Sequence, residues 1–392
     1  MSLYTGKTIT LCEVGPRDGL QNEQKILSTD EKVCLIERAV SSGFKVVEVG
    51  SFMSPKAVPQ MADTDEVFRR LTKAPGVEYR ALIANMKGLE RAADCGCVKT
   101  KLNVSASETH NLKNLNCTPA ESVARFAPIV EAAKEKKIEV SGSISMAFGS
   151  PWDSEIPVST VCSIIDAYLA AGVTEISLSD ASGQAYPGQV YDICEEMKKR
   201  YPEVKFWLHF HNTRGLGIAN ILAGIEAGFT NFDSAFAGVG GCPFVPGATG
   251  NVASEDVVHA MKGCGVHTGI DLDMAIETAR AFGVPMIFAK KSQSKNIDPD
   301  VYATDVYSYT HGNTNSVRVS KKYLNEDDCV LIVDDFLANG EAMNGLVRLC
   351  EQAGAKVAGC GAAIEKGFQP GGKELRERGF HVESLAIVDE MD

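Results

Sequence analysis

Short apolar or β-branched runs return at near-regular intervals up to residue 235, and this recurrence constrains the fold of the 392-residue chain more than any other feature. The runs are Thr8–Val14, Val46–Val49, Tyr79–Ala84, Lys99–Val104, Glu139–Ser145, Glu175–Leu178, Lys205–Phe210 and Asn231–Ala235. Between them lie Asp30–Ser42, Thr64–Lys73, Pro119–Lys136, Pro157–Ala171, Pro187–Arg200 and Leu216–Ala227, whose apolar spacing suits helices buried along one side. Strands alternating with helices across short loops become parallel neighbours, and eight such units close into a (β/α)8 TIM barrel. The helical stretches Ser254–Gly263 and Leu272–Phe282 extend the outer layer.

The chain is longer than one core usually serves, and its character changes near residue 284. An apolar run, Met286–Ala289, gives way to polar KKSQSKNIDPD, then to the alternating Val301–Tyr309 and Asn315–Val319 and the apolar Val330–Val333. The expectation is an α/β chain of two domains, a barrel over 1–283 and a smaller α/β unit over 284–392.

Composition excludes several roles. A formal net charge of -12 argues against nucleic acid as a partner, because phosphate binding needs surplus Lys and Arg. The 12 cysteines form no CxxC pair and the closest two, Cys95 and Cys97, match no metal-knuckle spacing, so they read as reduced thiols. MSLYTGKTIT has no apolar signal core and no membrane-length apolar run follows, so a cytoplasmic protein without a membrane partner is expected.

Barrel active sites are assembled at the carboxyl ends of the strands. Arg17 and Asp18 end the first strand, Glu48 the second, Asp180 the sixth, and His209 and His211 the seventh, while Cys242 and Asn251 lie in the loop after the eighth. Residues at i and i+2 on a strand share a face, so both imidazoles can reach one ion. With the Asp18 carboxylate and the Asn251 amide oxygen they form a nitrogen and oxygen set without thiolate, suited to Mg2+ or Mn2+. An HxH pair alone is as often incidental; rim carboxylates beside it make it a candidate cation site. If the ion takes Asp18, Arg17 is left to stabilise an enolate or thioester oxygen, the plainer alternative being a surface ion pair. The loop GVGGCPFVPGATGN has the glycine and proline content of a close-approaching lid. Cys242 within it is a candidate proton donor or acceptor, set against the ordinary role of a small buried hydrophobe.

The segments GPRDGLQNE, VEVGSFMSPKAVPQM, HFHNTRG and AGVGGCPFVPGATGN resemble the motifs of 3-hydroxy-3-methylglutaryl-CoA lyases, from residue 1 to about 283. The resemblance implies a divalent-metal retro-Claisen cleavage of an acyl-CoA thioester, yielding acetyl-CoA and acetoacetate. It implies Asp18, His209, His211 and Asn251 as ligands, Arg17 as enolate stabiliser, Cys242 as lid thiol, and Glu48, Gln21 and Asp180 as pocket residues. A homo-oligomer is expected. The RD and HxH elements are shared with barrel aldolases and Claisen condensing enzymes such as isopropylmalate and homocitrate synthases, which form the alternative; the GGCP loop argues against them.

In the second unit VLIVDDFLANGEA reads as a buried strand, two acids and a turn opening a helix over Ala342–Ala353. Backbone amides of Ala338, Asn339, Gly340, Glu341 and Ala342 can cradle a monophosphate, and Asp334 and Asp335 can meet ribose hydroxyls or Mg2+; a solvated strand end with a helix cap is the plainer alternative. GVPMIFAKK, VYSYTHG, VLIVDDFLANGEA, AAIEKGFQPGGKEL and VESLA resemble the later part of xanthine phosphoribosyltransferases. That resemblance implies a partial phosphoribosyltransferase-type unit with a purine nucleotide or phosphoribosyl pyrophosphate as partner, and Lys366 against the purine. The family's first core strand and pyrophosphate loop have no counterpart, so binding without turnover is expected.

Overall fold

The computed structural model describes residues 3–23, 25–153, 155–241, 245, 248–280, 300–308 and 313–390. Its contacts divide the chain into two compact units, Met1–Val284 and Pro285–Asp392.

In the first unit β1 (Thr10–Glu13), β2 (Val46–Ser51), β3 (Glu78–Ile83), β4 (Lys99–Ser105), β5 (Glu139–Ser145), β6 (Glu175–Asp180), β7 (Lys205–Phe210) and β8 (Asn231–Ser234) pair consecutively into a closed barrel. Closure is made by parallel pairing of β1 with β8, from Thr10 opposite Asn231 to Glu13 opposite Ser234. Local chemistry starts the outer helices. Ser28 and Glu31 form a reciprocal capping box on α1 (Thr29–Ser41), each satisfying a backbone amide that the first helical turn leaves open.

Helix α2 (Thr64–Arg70) falls within an expected stretch, but two helices lie outside the sequence expectation: α3 (Met86–Asp94), after β3, and α4 (Glu108–Leu115), after β4. Both added helices, α3 and α4, are short, with few apolar positions, but Asn85 and Ser107 cap them through their side chains. The single helix expected over 119–136 is instead two, α5 (Pro119–Ala124) and α6 (Phe126–Glu135). Pro128 has no amide to donate back to Ala124, so the chain starts a new helix there. The remaining helices, α7 (Val158–Ala170), α8 (Pro187–Arg200), α9 (Gly217–Glu226), α10 (Ser254–Cys264) and α11 (Leu272–Arg280), follow the expected stretches closely.

Between barrel and helices lies an apolar layer that includes Ile36, Phe44, Phe68, Leu89, Ile165, Tyr168, Ile221 and Val257, all buried. The barrel interior is different. Branched aliphatic residues usually fill such interiors, but here Arg80 is 1% exposed, lies 4.6 Å from the Trp207 ring centroid and bonds Glu78 and Glu175. Lys99 Nζ reaches Glu175 at 2.8 Å and Glu78 at 3.1 Å. Charges buried in this way persist because each has an opposite partner.

The second unit holds an antiparallel hairpin, β9 (Val301–Ser308) with β10 (Asn313–Ser320), and a parallel sheet of β11 (Cys329–Leu337), β12 (Lys356–Lys366) and β13 (Val382–Val388) in that order. Helix α12 (Glu341–Ala353) joins β11 to β12, α13 (Gly371–Glu377) joins β12 to β13, and Ile332, Met343, Val347, Cys350 and Leu375 form the core between helices and sheet. The strand expected at Met286–Ala289 lies outside the described residues. Among the described residues no helix is long and apolar enough to cross a membrane, and the described cysteines are free thiols.

Candidate active site

After β1 the chain makes one tight π-helical turn, Gly15–Gly19, with Pro16 in its first positions, and this turn carries Arg17 and Asp18 to the carboxyl-terminal mouth of the barrel. Glu13, two residues before the turn begins, is fully buried and fastens it: its carboxyl group accepts the amides of Gly15 at 2.8 Å and Phe236 at 3.0 Å and the Ser254 hydroxyl at 2.6 Å.

Asp18 stands at the centre of the cluster. One carboxylate oxygen pairs with Arg17 Nη1 at 2.5 Å; the other accepts Asn251 Nδ2 at 2.8 Å and lies 3.8 Å from His211 Nε2 and 4.0 Å from His209 Nε2. The two Nε2 atoms are 3.1 Å apart. Adjacent ligands of an octahedral ion, each about 2.1 Å from it, stand about 3 Å apart. With its Nδ1 proton directed to Asp233 at 3.2 Å, His209 turns a lone pair at Nε2 toward the cluster. The donor set therefore fits a divalent cation, and Asp18, His209 and His211 form a potential metal cluster among the described residues.

Electrostatics agree. Burial pushes the Asp18 carboxyl up, but Arg17, His209, His211 and the Asn251 amide outweigh it and hold Asp18 well below the usual carboxylate range. His211 is pushed down to about 3, by burial and then by His209, which keeps its imidazole neutral and able to bind a metal. Glu48 is lowered despite burial, because Arg17 and Lys101 flank it.

The structure brings Arg17, Asp18, Glu48, His209, His211 and Asn251 together. It differs from the sequence reading in detail. Asn251 directs Nδ2, not its oxygen, toward Asp18 and toward the Val239 carbonyl at 2.9 Å. Asp180 is buried and its oxygens are spent on its own loop, accepting Ala185 N at 2.8 Å, Ser182 Oγ at 2.9 Å and Gln184 N at 3.1 Å. Gln21 Oε1 is buried without a hydrogen-bond partner among the described residues. Cys242 lies outside the described residues, but the base of its loop is visible: Gly240, at φ +110°, approaches so closely that a Cβ there would stand 2.6 Å from Asn251 Nδ2. That contact accounts for a glycine at this position.

Two residues that sequence reasoning passed over belong to the site. Asp233 touches His209, and Lys101 Nζ lies 2.6 Å from Glu48 and 3.7 Å from Asp233. Their signal was charge on the inward alternation of a strand, Lys99 and Lys101 in β4 and Asp233 in β8. A cavity of about 250 Å³ between the ends of β3 and β4 and helices α4 to α6, with Asn85, Asn103 and Arg125 in its wall, shares no residue with the cluster.

In the second unit Asp334 and Asp335 lie near the carboxyl end of β11, and Ala338, Asn339 and Gly340 form the turn before Glu341 and Ala342 open α12. Gly340 is left-handed at φ +81°, no side chain caps the helix among the described residues, and Gly371 N donates to Ala338 O at 3.1 Å. Lys366 ends β12.

A closed parallel barrel with an Asp, His, His cluster and a partly buried arginine at its carboxyl-terminal mouth defines a TIM-barrel enzyme of metal-assisted chemistry. The HMGL-like family profile matches residues 8–281, and the chain belongs to that family. Its members include carbon–carbon lyases and work with a divalent metal. The chain is 40% identical over 274 residues to the 3-hydroxy-3-isohexenylglutaryl-CoA/hydroxy-methylglutaryl-CoA lyase of Pseudomonas aeruginosa, covering 70% of this chain and 91% of that one. It is 40% identical over 271 residues to the human mitochondrial hydroxymethylglutaryl-CoA lyase, 69% of this chain and 83% of that one. An HMG-CoA lyase structure from Acinetobacter baumannii, in complex with coenzyme A and 3-methylmalate, superposes with a TM-score of 0.68 at 42% identity, covering 70% of this chain and 90% of that one.

Proposed function

We propose that the barrel cleaves 3-hydroxy-3-methylglutaryl-CoA to acetyl-CoA and acetoacetate, with Mg2+ or Mn2+ held by Asp18, His209, His211 and Asn251. The observation that carries this reading is the convergence of Asp18 with the two histidine Nε2 atoms beside Arg17. When bound, the cation supplies Lewis-acid polarisation of the substrate oxygens. Asp18 and the histidines fix its position, and Asp233 fixes His209. Loss of the substrate's hydroxyl proton lets the adjoining carbon–carbon bond break; its electrons pass to the thioester as an enolate, whose charge Arg17 is placed to stabilise. Cys242 then gives a proton to the enolate carbon and is reprotonated by the one lost from the hydroxyl, so the cleavage is proton-neutral overall. Ligation by Asn251 through oxygen requires its amide to turn from Asp18, a rearrangement that a cation's charge favours. The test is a substrate panel: rapid metal-dependent cleavage of this thioester supports the reading, whereas condensation of a keto acid with acetyl-CoA, without cleavage, replaces it by the condensing-enzyme alternative.

A second reading concerns residues 285–392: a weak site for a ribose phosphate at the turn 338–342. It is supported by two acids at a strand end followed by a left-handed glycine and a helix without a side-chain cap. Calorimetry with purine monophosphates and phosphoribosyl pyrophosphate tests it. Loss of heat on Asp334→Asn supports it, and absence of heat at millimolar nucleotide refutes it.

A further inference from the structure

We infer that Lys101 is a positioning residue that couples the substrate side of the catalytic centre to its metal side; the inference rests on the cation site proposed above. Asp18, Glu48 and Asp233 place three carboxylates at the mouth of one barrel. Arg17 lies between the first two, pairing with Asp18 at 2.5 Å and with Glu48. Lys101 lies between the second and third, at 2.6 Å from Glu48 and 3.7 Å from Asp233. Asp233 reaches His209 Nδ1 at 3.2 Å, and His209 returns through its Nε2 to Asp18. The result is a closed ring, Asp18, Arg17, Glu48, Lys101, Asp233 and His209, in which each carboxylate stands between two nitrogen-bearing side chains.

Burial makes the ring consequential. The Glu48 and Asp233 side chains are 0% and 1% exposed and that of Lys101 is 3% exposed, so water cannot replace a lost partner. Glu48 can face Arg17 with one oxygen only while Lys101 holds the other. Asp233 Oδ1 has no hydrogen-bond partner among the described residues, so the Lys101 cation 3.7 Å from Oδ2 matters more for holding this carboxylate aligned on His209. Without Lys101, Glu48 and Asp233 become two buried carboxylates lacking their shared cation. Arg17 is then drawn toward Glu48, and Asp233 loosens its hold on His209.

The readout that separates coupling from plain stability is a double-mutant cycle on metal affinity, measured by Mn2+ paramagnetic resonance without substrate. Lys101→Met weakens Mn2+ binding by about tenfold or more, in the range for partners that orient metal ligands. Glu48→Gln changes the Mn2+ affinity of the wild type, but changes it no further in the Lys101→Met background. Asp233→Asn, which conserves volume, gives the same non-additivity with Glu48→Gln if Lys101→Met does not fold. In turnover Lys101→Met lowers kcat by about tenfold to a hundredfold and leaves KM within about threefold. A Mn2+ affinity within twofold of wild type in Lys101→Met, or additive effects around the cycle, overturns the inference. If the wild type binds Mn2+ but cleaves no thioester, the functional reading fails while the cycle still decides the role of Lys101. If the wild type binds no Mn2+, both fall.

Discussion

Replacing Arg80 with methionine tests whether the charged barrel interior stabilises the fold or merely occupies it. Arg80 is 1% exposed, bonds Glu78 and Glu175, and stacks 4.6 Å from Trp207. Removing one member of a buried ion pair costs roughly 3–5 kcal/mol when its partner is stranded. Here Glu175 keeps Lys99 at 2.8 Å, Lys205 at 3.2 Å and the Trp207 indole N–H at 2.9 Å, and Glu78 keeps Lys99 at 3.1 Å. The stranded charge is therefore partly compensated. Loss of the desolvated cation–π contact adds about 1–2 kcal/mol, and methionine returns some of this through packing, which leaves a net cost of about 3 kcal/mol. A barrel unit of 284 residues has an unfolding entropy of about 0.6 kcal/mol per degree, so its Tm falls by about 5 °C. Scanning calorimetry of wild type and Arg80→Met measures this directly. Adding Glu175→Gln to Arg80→Met recovers part of the loss if uncompensated charge is the cause. A single variant melting within 1 °C of wild type, or above it, refutes the reasoning and makes the network replaceable.

Asp18→Asn and His209→Ala each remove a proposed ligand from a small donor set, so metal titration should show Mn2+ affinity reduced by tenfold or more and activity largely lost; unchanged affinity rejects the ligand assignment. Arg17→Gln lowers kcat by on the order of 10² with little change in KM if the guanidinium acts on developing enolate charge, and steady-state kinetics showing a pure KM effect makes it a binding residue instead. Burial, opposed by Ser254 and the amides of Phe236 and Gly15, raises the Glu13 carboxyl from 4.5 to about 8. Between those values the folded chain keeps a proton that the unfolded chain has released, so Glu13 lowers stability as pH rises through this window and has no further effect above it. Glu13→Gln should flatten that part of the Tm profile, and an unaltered slope would remove Glu13 as its source.

The strands were legible because a parallel barrel demands apolar runs on its helix-facing side, and β5 and β7 carry the bounds that the sequence suggests. The cluster was legible because His209 near the end of β7 and His211 just beyond it share a face by alternation, while Asp18 follows β1 in a turn at the same carboxyl-terminal mouth. Short helices were harder: α3 and α4 show too few apolar turns for periodicity, and only their caps announce them. The charged interior was missed for a different reason. Arg80, Lys99 and Lys101 interrupt strand-like runs, and nothing local says that Glu175, Glu48 and Asp233 arrive from other strands to neutralise them. Pairing across a barrel is a property of closure, not of any single segment.

The most direct test of the central claim is the fate of 3-hydroxy-3-methylglutaryl-CoA on the purified full chain, stripped with chelator and then titrated with Mg2+ or Mn2+. Mass spectrometry should find acetyl-CoA and acetoacetate in equal amounts, absent without metal, restored on adding it, and restored far less in Asp18→Asn at the same metal concentration. Intact thioester in the metal-loaded wild type, or equal cleavage by Asp18→Asn, would contradict the account.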